Sequence, residues 1–287
     1  MTQNSMKETA KTPEVYFHVG MPKTASTFLQ RNVFPKLQNI HFVKKHDFKH
    51  RDEIIRQSGQ NRFLLSIELD LDGEDGLKKV KDVAAKYPDT YPVLVLRKHG
   101  SWLRSKYKYY LRKHGFRDFH SYFDMKNDEG VLKMKHLLFY PKIELLEQYF
   151  KHPPLVLFQE ELKNDPFGAI DQVSDFVSAE YAKEDIKIST VKQSYSEKQL
   201  KLVRKFNKIY KYDHSHIKSP VWKFIYKKAG GLFLHSVAYL ALILPGFMLN
   251  KDPLISKKTI QKVNDLYAED WNKCVEYAKN NRKKVFL

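Results

Sequence analysis

The stretch Tyr16-Phe-His-Val-Gly-Met-Pro-Lys-Thr-Ala-Ser-Thr-Phe-Leu-Gln30 sets the expected fold of the whole chain. A short apolar run stops at Gly20 and helical spacing begins near Ser26, so the segment predicts a strand, a loop and an amphipathic helix. Backbone N–H groups at a helix start have no partner inside the helix, and the helix dipole adds partial positive charge there. Such a turn suits an anion, and a phosphate is the expected ligand. Against the nucleotide-binding pattern G-x-x-x-x-G-K-[ST], Gly20 and Thr27 keep the outer positions, while Ala25 and Ser26 stand where Gly and Lys belong. Lys23 lies three residues earlier. A lysine at the helix start reaches β- and γ-phosphates beside Mg²⁺, whereas one inside the loop sits nearer a single terminal group, which argues against ordinary ATP chemistry. Ala25 adds a Cβ, so only negative φ is expected at that position.

Working outward, apolar runs recur at residues 15–19, 40–43, 63–67, 93–96 and 155–158, short and rich in β-branched and aromatic residues, with longer helical patterns between them. Strands alternating with helices predict an α/β fold of the P-loop type: three layers, a central parallel sheet of about five strands, helices on its faces and a helical C-terminal region. Ligands of such sheets bind beyond the carboxyl ends of the strands, which singles out Lys23, Glu68, Arg97 and Glu160.

The 287 residues are enough for one good core, and a single domain over residues 14–287 is expected, with a polar, disordered tail at residues 1–13. Hydrophobic residues at 42% and charged residues at 29% are ordinary for a globular protein. The start lacks the apolar segment of a secretory signal, and Cys274 is the only cysteine, so a cytoplasmic protein is expected. A formal charge of +18 implies an anionic partner: nucleic acid, an acidic glycan, a nucleotide or a membrane surface. Zinc-finger spacing, an RNA-binding aromatic signature and a basic zipper are all missing, so nucleic acid is not the expected one. Lysine runs such as Lys223 to Lys228 and Arg282 to Lys284 fit solvated faces.

The loop Pro22-Lys-Thr-Ala-Ser-Thr27 resembles the P-K-T-G-T-T loop of sulfotransferases, which take the sulfuryl group from 3′-phosphoadenosine-5′-phosphosulfate (PAPS); Ala25 and Ser26 depart from it. The segment Arg97-Lys-His-Gly-Ser-Trp-Leu-Arg-Ser-Lys-Tyr107 resembles the second motif of that family, a strand-end arginine with a serine, Ser105, eight residues on. Lys98 and His99 stand where many members carry Asp or Asn and Pro. Residues 155–166, with Asp165-Pro166, are similar to the family's late strand and helix opening, so the resemblance covers about Tyr16 to Tyr210. It implies that Lys23, Thr24, Ala25, Ser26 and Thr27 hold the 5′-phosphate end of PAPS, that Arg97 and Ser105 hold its 3′-phosphate, and that Lys23 is catalytic. A guanidinium fork with a nearby hydroxyl suits a terminal phosphate monoester.

Glu68 ends Phe63-Leu-Leu-Ser-Ile-Glu-Leu69, similar to the strand end that carries the general base in glycan-modifying sulfotransferases of the bacterial, polysaccharide type. His18 and His99 are its rivals as base; His18, inside the first strand, fits a core histidine. The loop Thr190 to Ser196 is similar to one that folds over the nucleotide's 3′ end, making Lys192 and Ser194 candidate contacts, with Ser196 the N-cap of a helix to about Tyr210.

Beyond Ser219 the composition changes. A basic aromatic stretch, residues 220–228, leads into an apolar run, residues 231–249, which fits a buried core helix, an interfacial anchor or a span that His235 and Pro245 disfavour. An amphipathic helix over about Ser256 to Asn280 follows, with Ile260, Val263, Leu266, Tyr267 and Trp271 on one stripe. The expected function is PAPS-dependent transfer to a hydroxyl of a glycan or glycolipid without a catalytic metal, the protein being cytoplasmic or peripheral on the inner membrane through residues 220–249. The alternatives are a P-loop kinase or NTPase with a degenerate loop, and a non-catalytic basic protein that binds membranes or glycans.

Overall fold

A computed structural model describes residues 12–188, 195–210, 217–245 and 252–285. The expected tail falls outside these apart from Thr12 and Pro13, and Lys192 and Ser194 also lie outside the described residues. The chain forms two compact units, each assembled from separated segments.

The first unit comprises residues up to Arg97, residues 140–189 and the end of the chain from Lys273. It holds the five-stranded sheet, in the order β2-β3-β1-β4-β5: β1 (Glu14–Gly20), β2 (His41–Val43), β3 (Arg62–Glu68), β4 (Tyr91–Leu96) and β5 (Leu155–Phe158). Every pairing is parallel, as the strand-helix alternation predicts. β1 lies at the centre because its residues are apolar on both faces, Val15, Tyr16, Phe17 and Val19 all being buried. Its register sets Gly20 opposite Glu68 of β3.

The helix after the phosphate loop is shorter than its periodicity predicts. One α-helical turn, α1 (Ser26–Phe28), widens into a π-helical turn over Leu29–Val33 and then a 3-10 turn over Phe34–Lys36. Pro35 has no N–H to carry an α-helical ladder onward. Leu29, Val33 and Phe34 pack into the same core as Tyr16, Leu64, Val93 and Leu157. This unit also carries α2 (Arg51–Gln57), α3 (Glu74–Lys86), and, after a segment of the second unit, α6 (Tyr140–Tyr149), α7 (Gln159–Asn164) and α8 (Pro166–Phe176). Asp165 caps α8, accepting from the N–H of Gly168 at 3.0 Å.

Arg282, expected on a solvated face, is instead fixed within this unit. It donates to both carboxylate oxygens of Glu161, at 2.7 and 2.8 Å, and to the carbonyl of Val156 at 2.6 Å. Glu161 in turn accepts from the N–H of Phe158 at 3.0 Å, so the guanidinium locks the junction where β5 turns into α7.

The second unit comprises Lys98–Phe139 and Thr190–Asn272. It contains α4 (His99–Arg112), α5 (Phe119–Tyr122), α9 (Glu197–Ile209), α10 (Pro220–Ile243), α11 (Lys257–Leu266) and the start of α12 (Ala268–Val285). Ser196 caps α9 as expected, in a capping box with Gln199. The single amphipathic helix expected from Ser256 is two helices, α11 and α12, divided at Tyr267, and Leu266 of the expected stripe is exposed.

α10 differs from a core helix. Among its described residues it buries only Leu234, Ala238 and Ala241, a stripe at i, i+4 and i+7, while Val221, Trp222, Phe224, Ile225, Leu232, Leu240, Leu242 and Ile243 are exposed. Leu234 and Ala238 pack with Val203 of α9, with Tyr195 and Phe206 beside them. Among the described residues, no helix is long and apolar enough to cross a membrane.

Candidate functional site

The loop leaving β1 has a strained backbone. Lys23 and Ala25 are both left-handed, at φ 72 and 71, and Thr24 between them is not. Alternation of this kind turns successive N–H groups into an anion-binding concavity. The expectation of negative φ at Ala25 fails. The left-handed conformation costs a residue with a Cβ about 1–2 kcal/mol, and hydrogen bonds inside the loop outweigh that cost. Thr24 Oγ1 donates to the carbonyl of Met21 at 2.8 Å and Ser26 Oγ to the same carbonyl at 3.2 Å. The Ala25 carbonyl accepts from the N–H groups of Phe28 and Leu29 at 2.8 and 3.3 Å. Thr24 and Ser26 are buried and their hydroxyls brace the loop, while Lys23 and Thr27 are half-buried. A Cβ on Gly20 would stand 2.8 Å from Ser26 Oγ and 3.1 Å from His18 Cε1, so this closure needs glycine.

His18 lies beneath the loop, fully buried, its ring edge-on to Phe34 at 5.0 Å. Its Nδ1 is 2.7 Å from Ser66 Oγ, which also accepts from Gln30 Nε2 at 3.0 Å. The other ring nitrogen, Nε2, has no hydrogen-bond partner among the described residues. Burial pushes the pKa of His18 down to about 3. The group stays neutral and sealed, a core histidine rather than a base open to substrate.

Glu68, at the end of β3, has a half-exposed carboxylate paired with Lys45 Nζ at 3.3 Å. Lys45 follows β2, the edge strand beside β3. It was not among the sequence candidates; its signal is that Lys44 and Lys45 come directly after the second apolar run. Arg97, just past β4, is half-buried and its Nη1 donates to the carbonyl of Lys23 at 3.2 Å. The carboxyl edge of the sheet thus presents, in strand order, Lys45, Glu68, the Lys23 loop, Arg97 and then Glu160 in the first turn of α7.

In the second unit, Ser105 is half-buried on α4. His99 at the start of that helix is buried, its Nε2 2.9 Å from Asp270 Oδ2 and its ring stacked between Phe139 at 4.3 Å and Tyr267 at 5.0 Å. Asp270 also accepts from the N–H of Phe139 at 2.9 Å. This histidine is a packing residue. The N–H of Gly100 is capped by Asn264 Oδ1 at 2.9 Å, and a Cβ there would meet Ile260 and Asn264 at 2.8 Å.

The sequence matches no protein-family model and no curated protein. Similarity is found among solved structures. A sulfotransferase from Alicyclobacillus acidocaldarius is similar at 15% identity and a TM-score of 0.46, over 71% of this chain and 97% of that one. Mouse sulfotransferase SULT7A1 complexed with PAP is similar at 11% identity and a TM-score of 0.39, over 61% of this chain and 62% of that one. Both likenesses are distant.

Proposed function

We propose that the chain transfers the sulfuryl group of PAPS to a hydroxyl of a glycan or glycolipid and releases adenosine 3′,5′-bisphosphate. The observation that carries this is the hydrogen bond from Arg97 to the Lys23 carbonyl, which gathers a lysine-bearing anion loop and a strand-end guanidinium at one sheet edge, with Glu68 on the adjoining strand. Loop N–H groups from Lys23 to Thr27 hold the 5′-phosphate, and Arg97 binds the 3′-phosphate. The acceptor oxygen bonds to sulfur while the bond from sulfur to the bridging oxygen breaks. Lys23 offsets the negative charge left on that oxygen, and Glu68 takes the acceptor proton. The ion pair with Lys45 orients the carboxylate for that transfer.

A P-loop kinase is disfavoured by Ser26 standing where its lysine belongs. Isothermal titration with adenosine 3′,5′-bisphosphate and with ATP plus Mg²⁺ separates the two. Metal-independent preference for the bisphosphate is the expected result. Preference for ATP with Mg²⁺, or silence toward both, removes the assignment.

A further inference from the structure

α10 exposes its apolar residues instead of burying them. Ile243 is 82% exposed, Leu232 70%, Val221 66% and Trp222 65%. The residues opposite its buried stripe include Val221, Ile225, Leu232, Tyr239, Leu240 and Ile243, with the exposed Lys228 the one charge on that face among the described residues. A helix of this length lays an apolar strip of about 36 Å on the surface. So extended an exposed patch marks an interaction site.

Beside that strip is a cavity of about 530 Å³, formed within the second unit by the end of α4, by Tyr195 and by the middle of α10. Arg112, Lys113 and Lys228 line it, and among the described residues no carboxylate does. None of the three forms an ion pair among the described residues. Arg112 lies over the Tyr195 ring at 4.9 Å, and the Tyr195 hydroxyl is hydrogen-bonded to His235 Nδ1. Leu232 and Leu234 supply the apolar wall. Three cations facing a cavity that opens next to an apolar helix face match a ligand with an anionic head and an apolar tail.

We propose that this cavity binds the phosphate headgroup of an anionic lipid while the outer face of α10 enters the bilayer interface. Interfacial helices bury an apolar face to the depth of the headgroup and acyl boundary, and nearby cations add attraction to anionic lipid. The exposed Lys218, two residues before α10 begins, adds to that attraction. A second copy of the chain is a poorer occupant, because each copy carries a formal charge of +18 and the two would repel. The assignment does not depend on the sulfuryl-transfer function.

The test is co-sedimentation of the full chain with vesicles of phosphatidylcholine, alone or with a third phosphatidylglycerol. Binding is expected only with the anionic lipid. Arg112→Gln, Lys113→Gln and Lys228→Gln together should weaken it on the order of a hundredfold, since each cation near such a surface supplies a factor of about five. Lys113→Gln with Lys228→Gln, both at exposed positions, should weaken it about twentyfold even if the triple variant folds poorly. Removing the same charge from α11, by Lys257→Gln, Lys258→Gln and Lys262→Gln, should cost much less. Leu240→Ser, Leu242→Ser and Ile243→Ser together should abolish binding with the unfolding temperature unchanged. Equal losses from the α11 variant overturn the cavity, since only the overall charge would then matter. Displacement by millimolar inorganic phosphate makes it a soluble-anion site, and a dimer without vesicles that the serine variant dissolves gives the face to a second copy; either result overturns the lipid.

Discussion

Acidification should expose the cost of keeping His18 neutral. In the folded protein burial holds its pKa at about 3, against 6.5 for an ordinary histidine. Between those values the unfolded chain binds a proton that the folded protein refuses, so stability falls as the pH falls. The loss begins near the ordinary value, grows by about 1.4 kcal/mol per pH unit and levels off near the folded value. Going from pH 7 to pH 5 should therefore cost about 2 kcal/mol from this residue alone. Carboxylates titrate over part of the same range, so the measurement is a difference. Urea unfolding of the wild type and of His18→Gln, whose amide can still meet Ser66 but cannot titrate, should give stabilities that diverge from their neutral-pH offset by that amount. Parallel stability curves for the two proteins from pH 7 to pH 5 would refute the sealed, neutral histidine.

Lys23→Ala should nearly abolish sulfuryl transfer while weakening bisphosphate binding only modestly, because its largest contact forms in the transition state; a change in KM alone rules that role out. Glu68→Gln should keep nucleotide affinity and lose about a hundredfold or more in kcat, and near-normal turnover would show that another group takes the proton. Arg97→Ala should cost on the order of 1.5–3 kcal/mol of the preference for adenosine 3′,5′-bisphosphate over adenosine 5′-monophosphate. Equal loss of affinity for both nucleotides would mean that Arg97 serves only the Lys23 carbonyl. Ala25→Gly relieves a left-handed Cβ worth about 1–2 kcal/mol and adds about 0.5–1 kcal/mol of unfolded-chain freedom, so thermal unfolding should show a net gain of up to about 1.5 kcal/mol. A clear loss of stability would contradict the φ of 71.

Much of the first unit was legible in the sequence. All five apolar runs are strands, because alternation with helical segments and β-branched composition are properties of neighbouring residues and survive folding. The loop between Gly20 and Ser26 and the cap at Ser196 were legible for the same reason: each depends on a few residues in a row. The backbone of Ala25 was not, since its sign of φ is set by Thr24 and Ser26 reaching the Met21 carbonyl, and intrinsic preference pointed the other way. Candidate residues at strand ends could be named in advance. Their order could not, because strand order is a choice among pairings that local periodicity does not encode.

The sequence by itself determined the alternation of strands and helices, the anion-suited turn and the excess of basic charge. The tertiary structure decided that β1 lies between β3 and β4, which sets Glu68 opposite Gly20 and Arg97 against Lys23. It also decided that Lys45 meets Glu68, that Arg282 locks to Glu161, and that α10 offers its apolar residues outward. The physical reason is common to all of these. Propensity and period act over a few residues along the chain, whereas an ion pair or a buried face depends on which distant segment arrives beside it, and only the packed chain fixes that.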